Sequence, residues 1–244
     1  MLKLENVSYS VKENGRTKHI LKNINLEISK GDIVVITGHN GSGKSTLMKI
    51  IMGIIPATSG KIYFEGKDIT DMSITDRAKL GIAYAFQTPI RFKGVTVRDL
   101  LSTAQKSNGG IDEVCNYLSR VGLCARDYID RDLDGSLSGG ELKRIEIATT
   151  FARNATLNMF DEPEAGIDIW SFDGLISAFK ENKDNFGGTN IIISHQEKIM
   201  SIADKILVMD NSEISAYGDR EDILPTVKSN KMCSRLQGEA LWVI

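Results

Sequence analysis

The sequence is short of the features that mark secreted, membrane-spanning or metal-clustered chains. Its three cysteines, Cys115, Cys124 and Cys233, are odd in number and form no CxxC pair. They supply neither a disulfide framework nor a metal-ligand spacing, so reduced thiols are expected. No apolar run approaches a membrane span; stretches such as 33–37 and 191–193 are far too short. The start, MLKLENVSYS, lacks the apolar core of a signal peptide, and the expectation is a cytoplasmic protein. An excess of one charge is missing too. Lys and Arg number 30 against 32 Asp and Glu, a formal net charge of −2 over 244 residues. Such a balance offers no general attraction to nucleic acid or anionic lipid, so any polyanion must be held by a local site. Repeats and low-complexity tracts are absent.

What is present is an alternation. Strand-like runs fall at 3–9, 20–28, 32–37, 61–64, 82–86, 157–160, 190–194 and 205–209, and helical patterns at 44–52, 97–104, 111–121, 139–152 and 171–183. The length can bury a substantial core. Strands alternating with helices predict an α/β fold with a mainly parallel sheet. The first two strands, joined by the polar turn KENGRTKH, predict an antiparallel hairpin at one edge. Between 88 and 152 helices dominate, which predicts a helical lobe inserted into the core.

Two segments carry chemistry. ITGHNGSGKST follows an apolar strand and opens a helix, and it matches G-x-x-x-x-G-K-[ST] from Gly38 to Ser45. Gly38, Gly41 and Gly43 allow backbone approach that a side chain would block. The N–H groups along Gly38, His39, Asn40, Gly41, Ser42, Gly43, Lys44, Ser45 and Thr46, with the helix N-terminus, then wrap a phosphate. Lys44 is expected at the β- and γ-phosphates and the Ser45 hydroxyl on Mg²⁺. The second segment, NMFDEPEAGID at 158–168, crowds Asp161, Glu162, Glu164 and Asp168 after a short apolar run. Buried like charges are costly unless something positive sits among them. As a Walker B strand the run ends in Asp161, expected to hold Mg²⁺ directly or through water, and Glu162 is placed to take the proton of an attacking water. Asn158 departs from the apolar pattern: either the strand starts later or its amide finds a hydrogen bond at the sheet end. Pro163 ends the strand.

SLSGGELKR, at 136–144, is the most discriminating stretch. Ser138, Gly139 and Gly140 open a helix with free N–H groups and a hydroxyl, a second anion-binding element. Lying before the Walker B strand, it makes nearly the whole chain resemble the ATP-binding cassette (ABC) ATPases, with the family's motifs in order. The resemblance implies a P-loop NTPase core of mixed, mainly parallel sheet with an antiparallel edge, built from 1–87 and 153–244, and an inserted helical lobe at 88–152. It implies that Tyr9 stacks on adenine and that Gln87, in YAFQTP, links Mg²⁺ and the γ-phosphate to the helical lobe. It also implies that His195, in IIISHQ, contacts the γ-phosphate. His19 and His39 carry no such case and read as surface positions. ATP would sit between the phosphate loop of one copy and the signature residues Ser138, Gly139, Gly140 and Glu141 of the other, in an ATP-dependent homodimer. Residues 164–168 would then cross the interface while Asp161 and Glu162 serve the chain's own nucleotide.

The family mostly powers membrane transporters. Several details instead resemble the SufC-type ATPases of iron–sulfur cluster assembly: EPEAGID after the Walker B strand, Gln196 after the switch histidine, AFQTPIRFKGVTVRDLL after the glutamine, and the basic SGGELKRIEI. That resemblance implies a SufB/SufD-like scaffold as partner, with no cluster on this chain, no nucleic acid and no direct membrane insertion. The alternative is the ATPase subunit of a transporter, and a third is a non-hydrolysing adaptor, against which Lys44, Asp161, Glu162 and His195 stand. Lys143, near the start of the signature helix, is expected to reach Glu162 in the nucleotide-free monomer and hold it unproductive; the competing expectation is a solvated lysine like Arg144.

Overall fold

The computed structural model describes residues 1–13, 15–105 and 110–239, without the side chains of 169–170 and 230–239. The chain opens with β1 (Leu2–Glu13), β2 (Arg16–Ile28) and β3 (Ile33–Gly38), then α1 (Lys44–Met52), β4 (Ser59–Phe64), β5 (Lys67–Asp68), α2 (Ile74–Lys79) and β6 (Ile82–Ala85). Four helices follow: α3 (Val97–Ala104), α4 (Ile111–Arg120), α5 (Ala125–Tyr128) and α6 (Gly139–Ala152). The remainder is β7 (Leu157–Asp161), α7 (Ile169–Phe186), β8 (Thr189–Ile193), α8 (Glu197–Met200), β9 (Lys205–Asp210), β10 (Glu213–Asp219) and α9 (Arg220–Glu239).

A six-stranded sheet in the order β10-β9-β3-β8-β7-β6 forms the centre. All its pairings are parallel except β9 with β10. The inner strands read as unbroken apolar runs because both faces are covered: β7 and β8 are buried throughout. Alternate side chains serve two cores, as the two-residue period of a strand requires. Ile33, Val35, Phe160 and Ile192 face the core shared with α3, α4, α6 and α7. Val34, Ile36, Met159, Ile191 and Ile193 face α1 and a second sheet. Phe160, Phe151 and Phe179 pack edge-on or tilted at centroid distances of 4.9–5.8 Å.

The expected hairpin of β1 and β2 is antiparallel, but it joins β4 and β5 in a four-stranded sheet of its own, ordered β2-β1-β4-β5. Leu2 and Leu4 register against Phe64 and Ile62, giving that sheet a continuous apolar face over α1. The antiparallel edge of the central sheet is β10, a strand the sequence patterns did not single out. Asn14, within the expected turn, lies outside the described residues.

Asn158 does sit inside β7 and is buried. Its Nδ2 makes long contacts to Ala155 O at 3.4 Å and Asn182 Oδ1 at 3.5 Å. Cys115 and Cys124 are free thiols; the side chain of Cys233 lies outside the described ones. Among the described residues no helix is long and apolar enough to cross a membrane.

Candidate active site

The parallel strands end on one rim, and the loops leaving β3, β6, β7 and β8 bring the sequence-identified residues together there. The turn after β3 is built for glycine at two places. Gly38 has φ +134°, and a Cβ on it would lie 1.9 Å from Met209 O on the neighbouring strand. Gly43, the N-cap of α1, has φ +101°, and a Cβ there would lie 2.7 Å from Ile20 O. No side chain caps α1, so its first N–H groups face the loop, the arrangement that favours an anion. Ser42 adds a buried hydroxyl with no hydrogen-bond partner. His39, Asn40 and Gly41 are exposed, and Thr46 is half-buried on α1.

Lys44 is 6 % exposed and folds back to donate to Gly38 O at 2.7 Å and His39 O at 2.9 Å. Burial pushes its ammonium below the ordinary lysine range, against the pull of the Glu162 and Asp161 carboxylates. These groups answer the crowding of acids in the sequence, since a buried cation lies within their field. Ser45 Oγ donates to Asp161 Oδ1 at 3.1 Å, and Tyr84 on β6 donates to Asp161 Oδ2 at 2.9 Å. Burial and the carboxylate together hold the Tyr84 phenol above its usual range, so it stays a donor.

A hydroxyl beside one carboxylate, with phosphate oxygens and water to complete the shell, is the donor set Mg²⁺ takes. Ser45 and Asp161 fit that ion on geometry, and Gln87 is the remaining candidate ligand. Among the described residues no group of three or more His, Cys, Asp or Glu is placed to hold a metal.

Glu162 follows β7 with φ +47°, and its N–H donates to Ile193 O at 3.1 Å. Gln87, just beyond β6, donates from Nε2 to Glu162 Oε2 at 2.8 Å. His195 leaves β8 with Nδ1 3.4 Å from the buried Thr37 Oγ1. Lys44, Ser45, Gln87, Asp161, Glu162 and His195 thus surround one end of the sheet. Tyr9 is half-buried on β1, packed against the core beneath α1.

The signature residues make their bonds within the entry to α6. Ser138 caps α6: its Oγ accepts the Glu141 N–H at 3.2 Å, and Glu141 Oε2 accepts the Ser138 N–H at 2.7 Å. Glu141 also accepts the Tyr128 hydroxyl and lies 3.7 Å from Arg131. These bonds pull its carboxyl down to about 2. Its carboxylate is therefore engaged in shaping the helix entry. Ser138 and Gly139 are exposed. Gly140 packs on the loop after β7 so closely that a Cβ would lie 2.5 Å from Gly166 O.

In that loop Ala165, Gly166 and Asp168 are exposed, whereas Glu164 turns inward. It accepts the Ser194 hydroxyl, and burial raises its carboxyl.

Lys143 meets neither expectation. It is fully buried, and its ion pair is with Glu146 at 3.3 Å rather than with Glu162. The reason is spacing: Glu146 lies one turn along the same helix, while Glu162 is taken up by Gln87. Sequence reasoning missed Tyr84 and Thr37, since no local motif ties them to the segments they touch; it also missed Glu146, although the i,i+3 spacing from Lys143 was a local signal that could have found it.

A glycine-rich turn between a buried strand and an uncapped helix, with a lysine in the turn and an aspartate on the adjacent-but-one strand, defines a P-loop nucleotide-binding protein. Residues 21–165 match the ABC transporter family, and the chain belongs to that family. It is 38% identical over 214 residues to an uncharacterized ABC transporter ATP-binding protein of Methanocaldococcus jannaschii, covering 84% of this chain and 85% of that one. A probable branched-chain amino acid transport ATP-binding protein, LivG, of Archaeoglobus fulgidus is 32% identical over 223 residues, covering 85% and 86%. Among solved structures, a nucleotide-free ATP-binding cassette from an ABC transporter superposes with a TM-score of 0.78 at 30% identity, covering 94% and 95%.

Proposed function

We propose that the chain binds and hydrolyses ATP, pairs with a second copy around the nucleotide, and passes the resulting movement to a transporter's membrane component from the cytoplasmic side. The observation that carries the enzymatic part is the contact of Gln87 with Glu162 beside the Ser45–Asp161 pair. It supports a reading in which Glu162 is the base and Gln87 its polar partner, next to the Ser45–Asp161 donor pair at the rim of the phosphate loop. The loop N–H groups, Lys44 and Ser42 bind the phosphates, and Tyr9 contributes the adenine contact. Mg²⁺, when bound, neutralises phosphate charge, with Ser45, Asp161 and Gln87 as its holders. Water adds to the γ-phosphorus as the bond to the bridging oxygen breaks and its electron pair leaves on ADP. Glu162 takes the water's proton, and Gln87 and His195 orient the groups around it.

The exposed Ser138 and Gly139, on a helix end with no hydrogen bond to the chain's own phosphate loop, support a site completed by a second copy. The half-buried Gly140 behind them packs on the loop after β7. The transporter partner rests on the names of the relatives. The iron–sulfur scaffold expected from EPEAGID and Gln196 gains no support from those names and stands as the second reading, carried by those residues alone.

Purified protein with Mg-ATP tests the enzymatic part. Glu162→Gln should bind ATP and lose nearly all turnover, and undiminished hydrolysis would remove Glu162 from the mechanism. Copurification from the native host separates the partners: an integral membrane protein supports the transporter, a soluble cysteine-containing scaffold the second reading.

A further inference from the structure

Lys143 sits in the second turn of α6 and is 0 % exposed. Its ammonium reaches four acceptors: the carbonyl oxygens of Phe86, Gln87 and Asp161, and Glu146 Oε2, the last three at 3.3 Å. Glu146 Oε1 in turn accepts the Phe86 N–H at 2.9 Å. Both members of the pair belong to α6. Every backbone group they hold belongs to the two segments that carry the Gln87–Glu162 hydrogen bond.

The 161–162 peptide is pinned at both ends, its oxygen by Lys143 and its N–H by Ile193 O. Together with the Glu162 carbonyl, which accepts the Ala165 N–H at 3.1 Å, that holds the left-handed φ of +47° at Glu162, a conformation any residue with a Cβ adopts at a steric cost. It therefore fixes the direction in which the Glu162 side chain leaves. On the other segment Phe86 has its N–H and carbonyl both engaged, and the Gln87 carbonyl is held as well. Lys143 sets both ends of a 2.8 Å bond that it does not itself make.

We propose that Lys143 and Glu146 are positioning residues for hydrolysis: a charge pair on α6, its lysine buried and its glutamate half-buried, that holds the backbones of Gln87 and Glu162 so that the base and its partner meet. The proposal rests on the role assigned to Glu162 above. A buried ion pair is weak grounds for stability, because apolar side chains of similar volume often serve as well. An apolar pair, however, cannot donate to carbonyls converging from two segments, whereas an ammonium can, its three protons shared among three carbonyls and the Glu146 carboxylate.

The test removes both charges together. The Lys143→Met, Glu146→Gln double variant nearly keeps the side-chain lengths, Met being one heavy atom shorter than Lys, and leaves an amide oxygen for the Phe86 N–H. It strands no lone buried charge, but the carbonyls of Phe86, Gln87 and Asp161 lose the ammonium as donor, so the melting temperature should fall while the chain stays folded. Turnover should fall by about ten- to a hundredfold, the scale of losing the orientation of a reacting group. The affinity for ATP should hold within about threefold, the split expected when a transition-state interaction alone is lost. Hydrogen exchange, read without turnover and with ATP absent, should show the Phe86 amide protected in the wild type and faster in the variant, because its acceptor remains but the Phe86 and Gln87 carbonyls that Lys143 held are released. Wild-type turnover in the double variant overturns the proposal. So does a turnover loss matched by an equal loss of ATP affinity, or by loss of folding. An unprotected Phe86 amide in the wild type overturns it whatever the variant does. A wild-type chain that binds ATP and never hydrolyses it defeats the proposed function instead, and the exchange measurement still decides whether the clamp exists.

Discussion

The two glycines that open α6 should respond in opposite senses to the same substitution. Both have helical backbone, where alanine gains at most about 1 kcal/mol over glycine because less backbone freedom is lost on folding. A methyl on Gly139 meets nothing within 4 Å, and Gly139→Ala should be neutral or mildly stabilising. On Gly140 the methyl falls 2.5 Å from Gly166 O, where ordinary contact begins near 3.4 Å. The obstruction is backbone, so no rotamer change relieves it, and α6 must part from the loop after β7 by close to an ångström. Overpacking of this kind costs about 1–3 kcal/mol. Gly140→Ala should therefore be less stable than Gly139→Ala by that amount. In a chain of this size each kcal/mol moves the melting temperature by about 2–4 °C, so the variants should separate by about 2–12 °C. Thermal unfolding of the nucleotide-free proteins, followed by circular dichroism in one buffer, measures it. If Gly140→Ala melts at or above Gly139→Ala, the close approach of signature helix and loop is refuted.

Lys44→Ala should weaken ATP binding by about 10- to 150-fold in Kd, as one charge-assisted contact worth about 1.5–3 kcal/mol disappears; titration with a fluorescent ATP analogue reads it, and an unchanged Kd would detach Lys44 from the phosphates. Mixing Lys44→Ala with Ser138→Arg chains should recover part of the hydrolysis both lack, since one mixed dimer site then has an intact phosphate loop and an intact signature. No recovery with mixed dimers shown to form would place the site within one chain. Glu141 has its folded carboxyl pulled to about 2 from an ordinary 4.5. Its contribution to stability is present above pH 4.5 and lost as the pH falls toward 2. Acid unfolding of the wild type should therefore steepen in that window, and Glu141→Gln should flatten it; superimposable pH–stability curves would contradict the cap.

Much of the site was legible because its motifs specify local backbone. Residues 38–45 need only a strand, glycines and a helix start to form an anion cradle, and the Ser138–Glu141 cap is likewise closed within four residues. The alternation of strands and helices followed from side-chain period alone. The inward turn of Glu164 was not legible, because the sequence shows a row of acids and not which of them accepts the Ser194 hydroxyl. Neither was the separation of β1, β2, β4 and β5 into a second sheet, which depends on pairing Leu2 and Leu4 with residues some sixty positions away, Phe64 and Ile62.

Lys143 marks the boundary most clearly. By itself the sequence determined that a lysine would stand on the signature helix, one turn from a glutamate. Only the tertiary structure decided that the side chain is buried, that its ion pair is with that glutamate, and that carbonyls from the ends of β6 and β7 converge on its ammonium. Helical spacing fixes contacts within a turn. Contacts between segments depend on how α6 packs across the strand ends, and no local pattern of residues encodes that distance.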